Sequence, residues 1–321
     1  MKILITGGGG FLGFRLARTL LARGTLGGKA ISGITLLDGA FPPGAEKLQK
    51  ARAVTGDVSD EKTIASVCTP DTDAVFHLAA VVSGAAETDF DLGMRVNLKG
   101  IEALLAQMRR CSRPPRLVYT SSVAAFGGDL PAVLDDSTIA NPQTSYGAQK
   151  VIGEYLITDY SRKGFLDGRS LRLPTIVVRA GKPNAAASSF ASGIIREPLN
   201  GAISECPVAP ETGVWLLSPG KVVDAFIHAW ELPPEAWGSQ RWLNLPGITA
   251  SVAEMVEALR KVAGDAVAKR VVYKADARIQ AIVKTWPVNF RTPRALAMGF
   301  KPDADVQSVI RDYIADEKIR I

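Results

Sequence analysis

The sequence predicts an α/β fold: a doubly wound parallel sheet joined to a smaller mixed α/β C-terminal region. Three observations carry that expectation. Strand-length apolar runs alternate with helical patterns across short connections, the pattern of a parallel sheet with helices on both faces. The run Ala74-Val75-Phe76-His77-Leu78-Ala79-Ala80 is apolar without alternation, as in a strand covered on both sides. The strand Lys2-Ile3-Leu4-Ile5 passes through Thr6-Gly7-Gly8-Gly9-Gly10-Phe11-Leu12-Gly13 straight into a helix. Glycines let a phosphate approach the backbone, and the helix then points free N–H groups and its positive dipole end at it. Gly7, Gly10 and Gly13 keep the spacing of a dinucleotide fingerprint.

The elements follow in order. Gly33-Ile34-Thr35-Leu36-Leu37-Asp38 is a second strand ending in a carboxylate. An acidic residue about 20 positions past the glycine turn accepts hydrogen bonds from the adenosine ribose. It also repels a 2′-phosphate, so Asp38 favours NAD over NADP; alone, it also reads as an ordinary strand-end turn. Pro42-Pro43-Gly44 marks a loop, Ala51 to Thr55 a third strand ending in Gly56-Asp57-Val58, and Ser59 an N-cap for a helix through Val67. After the Ala74–Ala80 strand comes one long helix from Phe90 to Cys111. The fifth strand, Arg116 to Thr120, closes in Ser121-Ser122. A Gly/Asp/Pro loop over 127–143 leads to a helix holding Tyr146 and Lys150 and running to about Lys163. A sixth strand, Ser170 to Leu173, stops at Pro174.

Past Pro174 the rhythm loosens. A helix ends near Pro198, Val214 to Leu217 is strand-like, and Pro219 opens a helix through Trp230 at its favoured first position. Arg241 to Leu245 is strand-like, Ser251 to Val262 an amphipathic helix, and Arg270 to Tyr273 a short strand. Smaller helices over Thr292 to Met298 and Asp305 to Tyr313 close the chain. The expected division assigns 1–173 plus about 214–245 to a dinucleotide-binding domain, and about 174–213 and 246–321 to a substrate-binding domain.

Composition narrows the function classes. With 321 residues the chain can bury a full core. Its net charge of +6 is mild and interspersed, which is no nucleic-acid footprint. No apolar run approaches a membrane span and no secretory pattern opens the chain, so a cytoplasmic protein with neither nucleic-acid nor membrane partner is expected. Cys68, Cys111 and Cys206 lie far apart without metal-ligand spacing; free thiols and no metal are expected. The two histidines, His77 and His228, stand in no triad context and read as packing residues.

Tyr146 and Lys150 lie four apart on one helix face. A phenol titrates near 10 and is a poor base at neutral pH, but a nearby ammonium stabilises its phenolate. The pair therefore fits general-base work on an alcohol, with Ser122 placed to hold the same oxygen. A bare Tyr-x-x-x-Lys also arises by chance on solvated helices. The ordered set weighs more than its members, because the strand ends of a parallel sheet face one ligand crevice.

As that ordered set, the chain resembles the extended short-chain dehydrogenase/reductase superfamily in its epimerase/dehydratase branch, over nearly its whole length. The resemblance implies a Rossmann-type sheet and NAD as cofactor. By it, Gly7, Gly10, Phe11, Leu12 and Gly13 hold the pyrophosphate, and Asp38 takes the adenosine ribose. Asp57 and Val58 lie at the adenine, while Leu78, Ala79 and Ala80 border the cofactor. Tyr146 is the implied general base, and Lys150 bonds the nicotinamide ribose and lowers the tyrosine pKa. Ser122, the last serine before Val123-Ala124-Ala125-Phe126-Gly127, matches the catalytic serine. Asn97 matches a site-lining position that supports a proton relay to Lys150. Leu173, Pro174 and Ile176 match the segment passing the nicotinamide. A homodimer is implied as well.

Sugar-nucleotide enzymes of this branch carry a Tyr-Gly-Pro-like element after the sixth strand; here Pro183-Asn184-Ala185-Ala186-Ala187-Ser188-Ser189-Phe190 replaces it. That stretch, with Trp286-Pro287-Val288-Asn289-Phe290-Arg291 and Arg294-Ala295-Leu296, resembles the group of dehydrogenases that oxidise D-erythronate, a four-carbon sugar acid. The implied reaction is NAD-dependent oxidation of its C2 hydroxyl to the 2-oxo acid. A carboxylate substrate needs a cation: Arg291 first, then Arg179, Lys182 and Arg196, with Ser83 and Thr212 as polar contacts. Each arginine also reads as a surface or ion-paired side chain. Two alternatives stay open: a nucleotide-sugar epimerase/dehydratase with tightly held NAD, and a non-catalytic NAD-binding protein.

Overall fold

In a computed structural model that describes residues 1–181 and 187–320, the chain forms two units. The first comprises 1–125, 144–172 and 223–243; the second comprises 126–143, 173–222 and 244–321.

The first unit is built on a seven-stranded sheet. Its strands lie in the order Trp242–Asn244, Asp167–Leu173, Arg116–Ser122, Ala74–His77, Lys2–Thr6, Gly33–Asp38, Ala51–Thr55. Ile5 sits between Leu36 and Phe76 in parallel register. The chain therefore moves outward from its first strand to 51–55, then returns to the other side of that strand at 74–77. That reversal is the topological switch point, and ligands of such sheets bind at the strand ends beside it. Ile3, Leu4, Ile5, Val75 and Phe76 are buried on both faces, which explains the apolar runs. Helix Phe11–Arg23 buries Leu16, Ala17 and Leu20 and ends at Gly24 in the left-handed conformation.

One edge of this sheet is pinned by charge. Arg169 is fully buried, and its Nη1 donates to the carbonyls of Ala229 (2.7 Å) and Trp230 (2.6 Å). Asp167 accepts from Arg169 (2.7 Å), Arg116 (2.9 Å) and Arg241 (3.1 Å). Helix Pro219–Glu231 returns to the chain start, where Glu231 accepts from Arg23 at 2.7 Å.

The second unit holds a three-stranded sheet in which Gly213–Leu217 runs antiparallel to Ile248–Ser251 and parallel to Thr175–Ile176. A two-stranded pair joins Ser204–Cys206 to Val271–Tyr273. Helices Ser189–Leu199, Val252–Ala263 and Val306–Glu317 bury Ile194, Ile195, Met255, Leu259, Val309 and Ile310 in one core. Ser251 caps Val252–Ala263 in a reciprocal bond with Glu254.

Several expectations are corrected. Residues 214–222 belong to the second unit, because Gly213–Leu217 pairs there and not with the large sheet. So do 126–143, where Leu134 bridges Phe290. The fourth strand stops at His77; Leu78 N–H still donates to the Thr6 carbonyl at 3.0 Å. Asp60, not Ser59, caps helix Glu61–Val67, accepting from Lys62 and Thr63 N–H; Ser59 bonds Asp57 instead. The long helix divides into Phe90–Gly93, a π-helical turn Met94–Lys99, and Gly100–Met108. Cys68, Cys111 and Cys206 are free thiols, as expected, and the Cys111 thiol donates to the Thr69 carbonyl at 3.5 Å. A hairpin joining Thr25–Leu26 to Lys29–Ala30 was not expected; Gly27 and Gly28 turn it at positive φ. Among the described residues no helix is long and apolar enough to cross a membrane.

Candidate active site

The glycine turn is closed by its own backbone. Gly7 takes φ +72°, and a Cβ there would meet the Ala79 amide nitrogen at 2.6 Å. A Cβ at Gly13 would meet the Gly7 carbonyl oxygen at 2.1 Å, so the helix packs hard on the strand end. The Gly10 amide donates to the Gly7 carbonyl at 3.1 Å. Gly10 also stands at the N-cap of Phe11–Arg23, with no side chain to cover the helix end.

Asp38 reaches this turn from the end of its strand. Its Oδ2 accepts from the amides of Gly9 (3.0 Å) and Gly10 (3.1 Å). The carboxylate that sequence placed at a ribose thus also fastens the phosphate-facing turn. Beside it opens a cavity of about 540 Å³. Of the residues expected at the cofactor, Gly7, Gly10, Asp38, Asp57, Val58, Leu78, Ala79 and Ala80 line it, and Asn97, Tyr146, Lys150, Leu173, Pro174 and Ile176 do not. Leu37, Gly39, Thr55, Gly56 and Val96 complete the wall. These extra residues continue the same strand ends, so Leu37, Thr55 and Gly56 were readable from their positions. Asp57 is held below the usual carboxylate range by the Ser59 amide and hydroxyl. Phe11, Leu12 and Gly13 do not line the cavity; they form the first helical turn behind it. A glycine cradle at a helix end, a cavity of this volume and an acidic residue at the second strand end together fit a dinucleotide.

Ser122, Tyr146 and Lys150 come from two elements of the same unit. Ser122 ends strand Arg116–Ser122, and its Oγ accepts from the Ala124 amide at 3.1 Å. Tyr146 stands in the first turn of helix Ser145–Arg162, whose N-cap Thr144 accepts from Gly147 N–H at 3.1 Å. The Tyr146 phenol hydrogen-bonds Ser122, which lowers its pKa, but burial dominates and pushes it up to about 12. Lys150 is 1 % exposed, with Nζ 5.6 Å from the Tyr146 ring centroid and 4.8 Å from that of Tyr119. Burial pushes its ammonium down to about 7, opposed by Glu154. The expected lowering of the tyrosine by this lysine does not appear: burial raises the phenol, and the group that opposes it is the Ser122 hydroxyl.

Asn97 sits in the π-helical turn, a frequent site of function. Its Oδ1 accepts from Val81 N–H at 2.8 Å, and its Nδ2 donates to the Val81 carbonyl (3.1 Å) and to Gln149 Oε1 (2.8 Å). It thereby clamps the 78–82 segment beside the cavity to the Tyr146 helix. Gln149 carries no motif and was missed; only its place before Lys150 marked it. His77 is buried, bonded to Thr6 Oγ1 at 2.6 Å and stacked on Tyr119 at 5.7 Å. Burial pushes it down to about 3, so it is neutral packing, as expected.

The remaining candidates are distributed. Ser83 opens the short helix Ser83–Thr88 of the first unit. Leu173, Pro174, Ile176, Arg179, Thr212 and Arg291 belong to the second. There the Arg179 amide donates to Ser192 Oγ at 3.0 Å, and Arg291 N–H donates to the Leu134 carbonyl at 2.7 Å. Thr212 N–H donates to the Ala209 carbonyl at 3.0 Å. Arg196 is corrected as a carboxylate ligand: it is buried, paired with Glu197 at 2.6 Å and bonded to the Arg179 carbonyl at 2.8 Å. Lys182 lies outside the described residues.

Comparison with known proteins agrees with this geometry. The profile of the NAD dependent epimerase/dehydratase family matches residues 3–231. A D-erythronate dehydrogenase of Cupriavidus necator is 58% identical over 320 residues, covering 98% of each chain. Its namesake from Haemophilus influenzae is 44% identical, over 98% of this chain and 99% of its own. Among solved structures, a nucleoside-diphosphate-sugar epimerase of Agrobacterium tumefaciens superposes with a TM-score of 0.92 at 40% identity, over 99% of this chain and 94% of its own.

Proposed function

We propose, from the premise that this chain belongs to the NAD dependent epimerase/dehydratase family and is an NAD-dependent oxidoreductase, that it oxidises the C2 hydroxyl of D-erythronate to the 2-oxo acid. The observation that carries the substrate is the 58% identity to a D-erythronate dehydrogenase over 98% of both chains. Bound NAD supplies the hydride acceptor. The chain supplies the rest. Ser122 holds the substrate oxygen, and Tyr146 Oη takes the hydroxyl proton as the C2–H bond breaks. Tyr146 needs help to do so, since burial holds its proton on to about 12. Lys150, when charged, provides that help over the short gap to the ring. Asn97 keeps the 78–82 segment and the Tyr146 helix in register.

Arg291 takes the carboxylate first, because a guanidinium fork matches a carboxylate. Arg179, Thr212 and Ser83 are further contacts, and Leu173, Pro174 and Ile176 pass the nicotinamide. The protein acts as a cytoplasmic homodimer.

The test is a panel: NAD or NADP with D-erythronate, L-threonate and UDP-sugars, following cofactor reduction. NADH from D-erythronate, with Tyr146→Phe lowering kcat by about a hundredfold or more, is expected. The solved relative described as a nucleoside-diphosphate-sugar epimerase favours a second reading. Turnover of a UDP-sugar without net NADH, and no reaction of any free acid, would replace the first reading with it.

A further inference from the structure

Directly behind Lys150 lies a buried ion pair that the proposed chemistry does not use. Glu154 follows Lys150 by one helical turn, and both are 1 % exposed. Arg172 grips the Glu154 carboxylate with two bonds, Nε to Oε1 at 2.8 Å and Nη2 to Oε2 at 2.6 Å. Ser121, the neighbour of Ser122, donates its hydroxyl to Oε1. Glu154 therefore joins three pieces: the helix of Tyr146 and Lys150, the strand end of Ser122, and the strand that runs on into Leu173. A buried, doubly bonded carboxylate of this kind is not a solvated surface charge, and a hydrophobic pair would fill the same space.

We propose that Glu154 is a positioning residue for the oxidation: its anion, locked by Arg172 and Ser121, keeps the Lys150 ammonium charged beside Tyr146. The claim rests on the Tyr146–Lys150 reading above. The groups facing Lys150 set the sign. Tyr146 and Glu154 face it from its own helix. Tyr119 offers a ring face from strand Arg116–Ser122, and neutral His77 stands behind that ring. Tyr119 is itself pushed well above its ordinary value by burial, so it carries no charge. Among these, Glu154 is the one anion, and it opposes the burial that drives the lysine toward its neutral form. Arg172, on the far side of the carboxylate, balances Glu154 and stops it from being an uncompensated buried charge.

This arrangement separates a charge role from a scaffolding role. Glu154→Gln and Arg172→Gln break the same ion pair, so a scaffold suffers alike from both. Their effects on Lys150 are opposite: one removes the anion and leaves a cation, the other leaves the anion alone. The measurement is an NMR titration of protein carrying ¹³Cε-lysine, with the Lys150 signal assigned through Lys150→Arg. In the wild type this signal is expected to titrate near pH 7. Glu154→Gln is expected to lower its midpoint by about one pH unit or more, and Arg172→Gln to raise it. Glu154→Asp, which keeps the anion, restores most of the shift. An unmoved midpoint in Glu154→Gln, or a shift of the same sign in both variants, overturns the proposal. Where Glu154→Gln does not fold, Arg172→Gln decides alone: a midpoint that fails to rise overturns it. Tyr146→Phe separates this claim from its premise. Full NADH formation from D-erythronate by that variant sinks the catalytic reading even where the titrations behave. Loss of activity there, with titrations unmoved, sinks the Glu154 role only.

Discussion

Replacing Gly13 by alanine is expected to injure both stability and NAD binding, and the structure gives the size. The new Cβ would lie 2.1 Å from the Gly7 carbonyl oxygen, 2.8 Å from its carbon and 3.0 Å from Gly8 Cα. All three are backbone atoms of the turn, so no side chain can swing aside. Ordinary contact at roughly 3.5 Å requires the helix to retreat by more than about 1 Å. Overpacking of this kind costs about 1–3 kcal/mol, and we take about 2 kcal/mol for the cofactor-free protein. The retreat also withdraws the first-turn amides from the phosphate. Loss of one hydrogen bond to a charged group, about 1.5–3 kcal/mol, weakens NAD by roughly tenfold to a hundredfold. Gly10→Ala is the internal control for folding. Its Cβ would meet the Gly7 oxygen at 3.2 Å, and its backbone is extended, at φ −71° and ψ 162°. Its unfolding free energy is expected to stay within about 1 kcal/mol of wild type. Urea unfolding without cofactor and calorimetric NAD titration measure the two effects. If Gly13→Ala keeps wild-type stability and affinity, the crowding argument is wrong.

Other outcomes follow from single residues. His77 is held neutral, down to about 3, so its contribution is present above about pH 6.5 and lost as pH falls toward 3. Relative to pH 7, wild type should lose about 2 kcal/mol at pH 5 from this group, and His77→Gln should flatten that part of the urea-midpoint profile; an unchanged slope refutes it. Asn97→Ala strands the Val81 amide and carbonyl and Gln149 Oε1, and is expected to destabilise by about 2–4 kcal/mol; a loss under about 0.5 kcal/mol means water replaces it freely. Asp38→Ser removes the anion that repels a 2′-phosphate, so the ratio of kcat/KM for NADP over NAD should rise by about tenfold or more. No change in that ratio removes Asp38 from the ribose.

Most of the cavity lining was legible because strand ends and glycines are written locally. Asp38 ends an apolar strand and Asp57 follows the end of the next one, and a parallel sheet brings such strand ends to one rim. The π-turn around Asn97 was not legible, since residues 90–111 keep helical spacing and nothing local announces a widened turn. Gln149 and Glu154 were missed for the same reason. Their meaning comes from Asn97 and Arg172, 52 and 18 positions away, and long-range polar partners leave no periodic signal. Gly213–Leu217 reads as a sheet strand by composition, but which sheet it joins depends on Thr175–Ile176 and Ile248–Ser251.

The return of 223–243 to the first unit has a consequence for how the chain can be made. On the ribosome, the first 173 residues emerge with the glycine turn, Ser122, Tyr146 and Lys150 all present. Arg169 then has Asp167 but not the Ala229 and Trp230 carbonyls that complete its burial. The edge strand Trp242–Asn244 is missing too, leaving the Asp167–Leu173 strand with an open edge. Synthesis must pass residue 243 before this unit can close, so the intervening second-unit segment is already outside by then. A gene cut at Leu173 would therefore encode the glycine turn, Asp38, Ser122, Tyr146 and Lys150 and yield an aggregation-prone nascent sheet.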